Sequence, residues 1–237
     1  ICLAQNNETK NYLKKLGAKN IKKLGNLKFS ETTLKNINKI NKDTKKFFDL
    51  KRILFGAIST HQDEEMFCAK MHADLKKKYI NGVTIIIPRH IHRSSNIKKE
   101  IENIGLKVHL HSSGGKIDGK TDIYLVDTFG ETKLFIKICN IVFLGGSLIH
   151  HGGQNPIEAA RLGCKVIHGS YIDNFLEVYD LLNKNKISSK IKTVKQAKGI
   201  IQKNLNNKFS SNKIVKKLNS IGNKTLLNNQ KEINKYI

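Results

Sequence analysis

Six short runs of branched and apolar residues punctuate the middle of the chain, with amphipathic stretches between them. Lys51 to Ser59, Val83 to Ile87, Lys107 to His111, Asp122 to Val126, Asn140 to Leu144 and Lys165 to His168 read as strands. Phe67, Met71 and Leu75 mark one face of an intervening helix, and Ile157, Ala160 and Leu162 lie on a short helix that Gly163 closes. Strands that alternate with helices build βαβ units. The expected fold class is therefore α/β, with a Rossmann-like, doubly wound parallel sheet.

The first thirty residues repeat this logic on a smaller scale. A strand near Ile1 to Ala4 leads into a polar helix ending at Leu16 and Gly17, and a second run reaches Leu27. This predicts the tail of a preceding domain plus its hinge over residues 1–28, the hinge lying near Gly25 to Ser30. The complete domain is expected over 29–222. Towards its end, Val194, Ala197, Ile201 and Leu205, then Ile214, Leu218 and Ile221, fall at helical spacing and predict two amphipathic helices. Residues 223–237 read as a basic tail that frays. The chain starts in an apolar segment without Met, as a piece of a longer protein would. The apolar stretch from Val83 to Pro88 is far too short to cross a bilayer.

Charge narrows the partners. With 43 Lys and Arg against 19 Asp and Glu, the net charge is +24, and its field attracts anions. From Asn183 onward there are fourteen lysines and one acid, Glu232, which suits an anionic membrane surface or a phosphorylated lipid. The chain is also crowded with Asn and Ile, and an AT-rich coding bias accounts for many of these lysines equally well. No recognition-helix pattern, RNP aromatics or zinc knuckle accompanies the charge, so nucleic acid is not expected. The four cysteines form no CxxC pair and read as buried free thiols. The nine histidines are not spaced as metal ligands, and no metal is expected.

Candidate chemistry gathers just past the strand ends. The strongest segment is Asn140 to Glu158, where an apolar strand meets Gly145, Gly146 and Ser147, then Gly152, Gly153, Gln154, Asn155, Pro156, Ile157 and Glu158. Glycines admit a ligand close to the backbone, and the N–H groups that open a helix favour phosphate or carboxylate. Asn155 fits the N-cap, Pro156 the first helical position and Glu158 the third, where it closes a capping box or reaches ribose hydroxyls. After the second strand come Pro88, Arg89 and His90. Arg89 is the better phosphate ligand, while Arg93 either pairs with a helix or faces solvent. After the first strand, Ser59 or Thr60 caps the next helix or binds a phosphate. Asp63, Glu64 and Glu65 are sufficiently explained by the helix dipole. Gly130 permits a turn beside the same crevice, and Asp173 reads as a helix cap ahead of Asn174 and Phe175.

Taken in order, several segments resemble the 3-deoxy-D-manno-octulosonic acid (Kdo) transferase family. They are Gly25-Asn26-Leu27-Lys28-Phe29, Ser59-Thr60-His61 through Glu64-Glu65, Pro88-Arg89-His90 with Arg93, and Asp127-Thr128-Phe129-Gly130-Glu131. Gly145-Gly146-Ser147-Leu148, Gly152 through Glu158, and Asn174-Phe175 complete the series. The chain departs from the family pattern at Phe129, Gln154, Ala159 and Ser170. The resemblance implies the C-terminal, CMP-Kdo-binding half of a two-domain GT-B glycosyltransferase, metal-independent, without a cofactor, and inverting at the anomeric carbon. It implies a lipid A precursor as acceptor, in lipopolysaccharide biosynthesis, at the cytoplasmic face of a bacterial inner membrane. The expected donor-binding residues are Ser59, Thr60, Pro88, Arg89, His90, Gly130, Gly145, Gly146, Ser147, Gly153, Asn155 and Glu158. The catalytic base is expected in the absent N-terminal domain. A UDP-sugar enzyme of the same fold and a non-catalytic basic binding protein are the alternatives.

Overall fold

The computed structural model describes residues 1–30, 40–206 and 212–236. In chain order the elements are β1 (Cys2–Ala4), α1 (Asn7–Lys15), β2 (Ile21–Lys23), α2 (Lys42–Leu50), β3 (Arg52–Thr60), α3 (Glu64–Lys76), β4 (Gly82–Pro88), α4 (Ser94–Glu102), β5 (Val108–Leu110) and β6 (Ile123–Leu125). They continue with α5 (Thr132–Ile138), β7 (Ile141–Leu144), α6 (Ile157–Arg161), β8 (Lys165–His168), α7 (Leu176–Lys184), β9 (Ser188–Lys190), α8 (Val194–Asn204) and α9 (Asn212–Ile233). These fall into two compact units. One joins described residues 1–30 with 212–236, and the other holds 40–206.

The larger unit is a seven-stranded, all-parallel sheet in the order β5-β6-β4-β3-β7-β8-β9. Strand β4 is buried along its whole length, and β7 and β8 are buried at every position. That is the signature of a parallel sheet covered on both faces, where a continuous apolar run replaces alternation. One face packs Leu54, Phe55, Met71, Leu75 and Ile86 with Ala197 and Ile201 of α8. The other gathers Phe47, Phe48, Tyr124 and Phe135 with Val142 and Val166. All six expected strands are present, within a residue or two at each end. The seventh, β9, was missed because Ser188-Ser189-Lys190 carries no apolar period at an edge position. All four cysteines are free thiols, three of them buried and Cys2 half-buried.

The smaller unit corrects the expected boundaries. Helix α9 runs through Gly222 to Ile233 without a break, so residue 222 closes no domain and 223–233 are helical. Gly222 is needed where the helix meets residues 27–30: a Cβ there would lie 2.2 Å from the Phe29 carbonyl oxygen. The buried Glu232 carboxylate receives Lys22 Nζ at 2.6 Å and Lys235 Nζ at 3.0 Å. The residues read as a tail thus pack against β2 and the 27–30 turn. Their amphipathic period, with Ile214, Leu218, Thr225 and Asn229 buried, continues past Gly222 into the stretch expected to be a tail.

Candidate functional site

Chain order places β4 on one side of β3 and returns β7 to the other, so the order of strands reverses at β3. Open α/β sheets bind ligands outside the carboxyl ends of the strands at such a point. The ends of β3, β4, β6 and β7 carry the Ser59–His61, Pro88–His90, Thr128–Gly130 and Gly145–Ser147 segments respectively.

Ser59, Pro88, Arg89, Thr128, Phe129 and Gly130 line one small cleft there. Four expected site residues therefore share a wall. Ser59 sits at φ +53°, a conformation that costs a non-glycine residue energy and that persists where the surroundings enforce it. The Arg89 backbone N–H donates to the Thr60 carbonyl at 2.9 Å, which fixes the start of the loop while the Arg89 side chain stays exposed. Among the described residues its guanidinium has no acidic partner. Arg93 behaves differently: its two terminal nitrogens donate to the Glu65 carboxylate at 3.1 and 3.3 Å. It pairs with a helix, the first of the two roles the sequence allowed. Burial pushes the Glu65 carboxyl above its usual range, and Arg93 pulls against that shift.

The glycine loop is built around Glu64. Its carboxylate, 1% exposed, accepts four backbone N–H groups: His61 at 3.0 Å, Gly146 at 2.7 Å, Ser147 at 3.0 Å and Leu148 at 2.9 Å. A helix-dipole role does not account for this. Glu64 is an internal anion that holds the loop from within, and the loop amides 146–148 point at it, away from any ligand. Nor do Ser59 or Thr60 cap α3. The N-cap is Asp63 in the left-handed region, and the Glu64 side chain reaches back to the His61 amide. The local signal is a glutamate four residues past the strand-end Thr60, whose side chain turns back to the His61 amide instead of serving the helix dipole.

Ser147 is fully buried. Its hydroxyl donates to the Leu144 carbonyl and accepts the Gly169 N–H at 2.8 Å, so the side chain braces the loop and offers nothing to a ligand. Gly145 is glycine for packing: a Cβ would fall 2.2 Å from the Ser59 carbonyl oxygen. Gly153 returns its N–H to the Gly146 carbonyl at 2.8 Å, closing the 146–153 loop. Asn174, read as an ordinary helix start, donates its backbone N–H to Gly152 and its amide to the His151 carbonyl. Asp173 caps nothing; it opens a short 3-10 turn ahead of α7.

The expected capping box is absent. Pro156 occupies the N-cap of α6, Asn155 Oδ1 accepts the Ile157 N–H at 3.1 Å, and Glu158 pairs with Lys133 Nζ at 2.9 Å. Pro156 adopts αR backbone angles there, and so displaces Asn155 from the cap by one position. Glu158 is half-buried and is freed from capping.

His61 lies over this loop, its ring 4.1 Å from that of His151 and 5.7 Å from the exposed His90. Burial, reinforced by His151, His90, Arg89 and Arg93, lowers its pKa to about 4, so it is neutral at pH 7. Among the described residues no group of three or more His, Cys, Asp or Glu side chains is placed to hold a metal ion.

No family model matches the chain. A 3-deoxy-D-manno-octulosonic acid transferase of Haemophilus influenzae is 30% identical over 158 residues, 67% of this chain and 37% of the relative. One from Rickettsia prowazekii is 34% identical over 186 residues, 76% of this chain and 39% of the relative. The chain is a homologue of the Kdo transferases. It spans about two fifths of the length of these Kdo transferase relatives. Among solved structures, the C-terminal CMP-Kdo binding domain of WaaA from Acinetobacter baumannii superposes with a TM-score of 0.64 at 24% identity, over 78% of this chain and 94% of that one. TarM follows at a TM-score of 0.52 and 16% identity, over 98% of this chain and 42% of that one. The fold is thus the Rossmann-like domain found on the carboxyl side of GT-B glycosyltransferases. Among the described residues no helix is long and apolar enough to cross a membrane.

Proposed function

We propose that this chain binds CMP-Kdo and forms the donor side of a Kdo transferase that acts on a lipid A precursor in lipopolysaccharide biosynthesis. The observation that carries this reading is Arg89, an exposed guanidinium without an acidic partner among the described residues, on the cleft shared with Ser59, Pro88 and Gly130. A planar fork there can take a phosphate in two hydrogen bonds and stabilise charge that develops on departing CMP. Such stabilisation performs the task without metal and is compatible with inversion at the anomeric carbon. Gly145, Gly146 and Gly153 keep the loop beyond β7 packed against the end of β3, the His61 and His151 rings and Ile172, and Asn155 and Glu158 lie where that loop enters α6.

The acceptor-side base belongs, on this reading, to sequence that the longer relatives possess and this chain lacks; residues 1–28 would be the edge of that domain. The +24 charge supports peripheral attachment to an anionic membrane, at the cytoplasmic face of the inner membrane. Calorimetric titration with CMP and with UDP tests the donor assignment. CMP-selective binding that Arg89→Ala abolishes supports it, and a preference for UDP transfers the chain to a UDP-sugar enzyme.

A further inference from the structure

Behind the cleft, β5 ends in a 3-10 turn, His111–Ser113, which touches the loop after β6 at two carboxylates. Asp127 Oδ1 accepts the Ser112 N–H at 2.8 Å, and its other oxygen accepts the Ser112 hydroxyl. Glu131 Oε2 meets His111 Nε2 at 3.0 Å and also accepts the Thr128 hydroxyl. On its far side, His111 Nδ1 lies 2.6 Å from the Tyr124 hydroxyl, which in turn lies 3.2 Å from Thr44 Oγ1. Tyr124 is 1% exposed and wedged among Phe47, Phe48 and Phe135.

With His111 neutral, the hydrogen bonds run in one direction. An ionised Glu131 only accepts, so His111 must donate from Nε2. A neutral imidazole that donates from Nε2 accepts at Nδ1, so the Tyr124 hydroxyl donates there. With its own proton committed, Tyr124 accepts from Thr44. From the core outward, each group donates to the next: Thr44 to Tyr124, Tyr124 to His111, His111 to Glu131. Burial raises the Tyr124 pKa, which keeps the phenol protonated for this task.

We infer that the Tyr124–His111 pair is a positioning relay, which fixes Glu131 and through it the Thr128-Phe129-Gly130 wall of the nucleotide cleft. The wall consists of Gly130 at φ +83°, the 81%-exposed Phe129, and Thr128, whose hydroxyl is turned to Glu131. Among the described residues, Phe129 belongs to neither apolar core cluster. The loop is instead pinned by its two carboxylates, both to one turn. The same hydrogen bonds satisfy two negative charges beside a cleft that presents Arg89 to an anion. This inference rests on the donor-cleft reading only for its ligand; the loop's dependence on the relay stands by itself.

The test is Tyr124→Phe, which keeps the ring and removes the hydroxyl, alongside His111→Ala, His111→Asn and His111→Gln. Long-range 15N NMR of the imidazole should show His111 as the Nε2–H tautomer in the wild type. Amide hydrogen exchange at 128–131 should quicken about tenfold in His111→Ala and His111→Asn. It should return towards the wild-type rate in His111→Gln, whose amide nitrogen occupies the Nε2 position. CMP affinity should follow the same order. Unchanged exchange at 128–131 in both Tyr124→Phe and His111→Ala, or an Nδ1–H tautomer, overturns the relay, whether or not CMP binds. Failure of wild-type protein to bind CMP, with exchange responding as stated, overturns the donor assignment and leaves the relay standing.

Discussion

The Glu64 carboxylate accepts the Gly146 N–H at 2.7 Å, joining the first turn of α3 to the glycine loop across 82 residues of sequence. A carboxylate with four backbone donors is an organiser of the site, and its loss leaves those donors buried without a partner. Glu64→Gln keeps the shape, yet replaces one acceptor oxygen with a donor group facing two N–H groups. It should lower unfolding stability by about 3 kcal/mol. Chemical denaturation measures this, and a loss below about 0.5 kcal/mol would refute the anchoring role.

Gly145 tests the crowding between β7 and β3. The 2.2 Å approach that a Cβ would make to the Ser59 carbonyl can be relieved only if one strand end moves, since the clash is with backbone. Gly145→Ala should cost about 2 kcal/mol and displace Ser59 from the cleft, weakening nucleotide binding along with stability. Gly105→Ala is the control: the site is open, and its φ of +82° makes the change one of backbone strain alone. Thermal unfolding and CMP titration of the two variants separate these effects.

Arg93→Ala should expose what Glu65 costs. Glu65 is 2% exposed, and burial already raises its pKa with Arg93 in place. Without the guanidinium the pKa rises further, so the variant should be less stable by about 3 kcal/mol at pH 7. The deficit should shrink as pH falls and the carboxyl takes up a proton. Adding Glu65→Gln should recover part of the loss at pH 7 and remove its pH dependence, as read by urea unfolding at pH 7 and pH 5.

Two histidines set an acid limit. Burial lowers His61 to about 4; it does the same to His168, where the Gly169 carbonyl pulls upward and Lys190 downward. Both stay neutral in the folded protein, while in the unfolded chain each takes up a proton as pH falls through about 6.5. The unfolded state then binds more protons. The share of stability set by these two histidines should therefore decline from pH 6.5 to about 4 and level off below. A His61→Gln, His168→Gln double variant should show a shallower decline in denaturant midpoint over that interval. An unchanged slope would place the proton uptake elsewhere.

Much of this was legible beforehand, and the omissions share a cause. Strand positions are written in local periodicity, so Val83 to Ile87 and Asn140 to Leu144 were found without tertiary information. The place of Arg89 just past the end of β4 was legible for a similar reason, because a strand end followed by arginine is a local pattern. The long-range partners of Glu64, Asn174 and His111 were not, because they lie 13 to 84 positions away, where no local window of sequence displays them. Ser147 misled from the other side. Its setting among glycines suggested a ligand contact, but the hydroxyl is consumed by Leu144 and Gly169, a pairing that exists only once β8 lies beside β7.

The smaller unit has a consequence for biosynthesis. Residues 1–30 leave the ribosome well ahead of the sheet, yet the helix that covers them, α9, is made after it. Translation emits residues vectorially, at roughly 5–20 per second, so β1, α1 and β2 wait about ten to forty seconds for their counterpart. The nascent segment passes that interval with Phe29 uncovered. A stop codon ahead of Asn212 would leave the sheet's own contacts in place and make that exposure permanent.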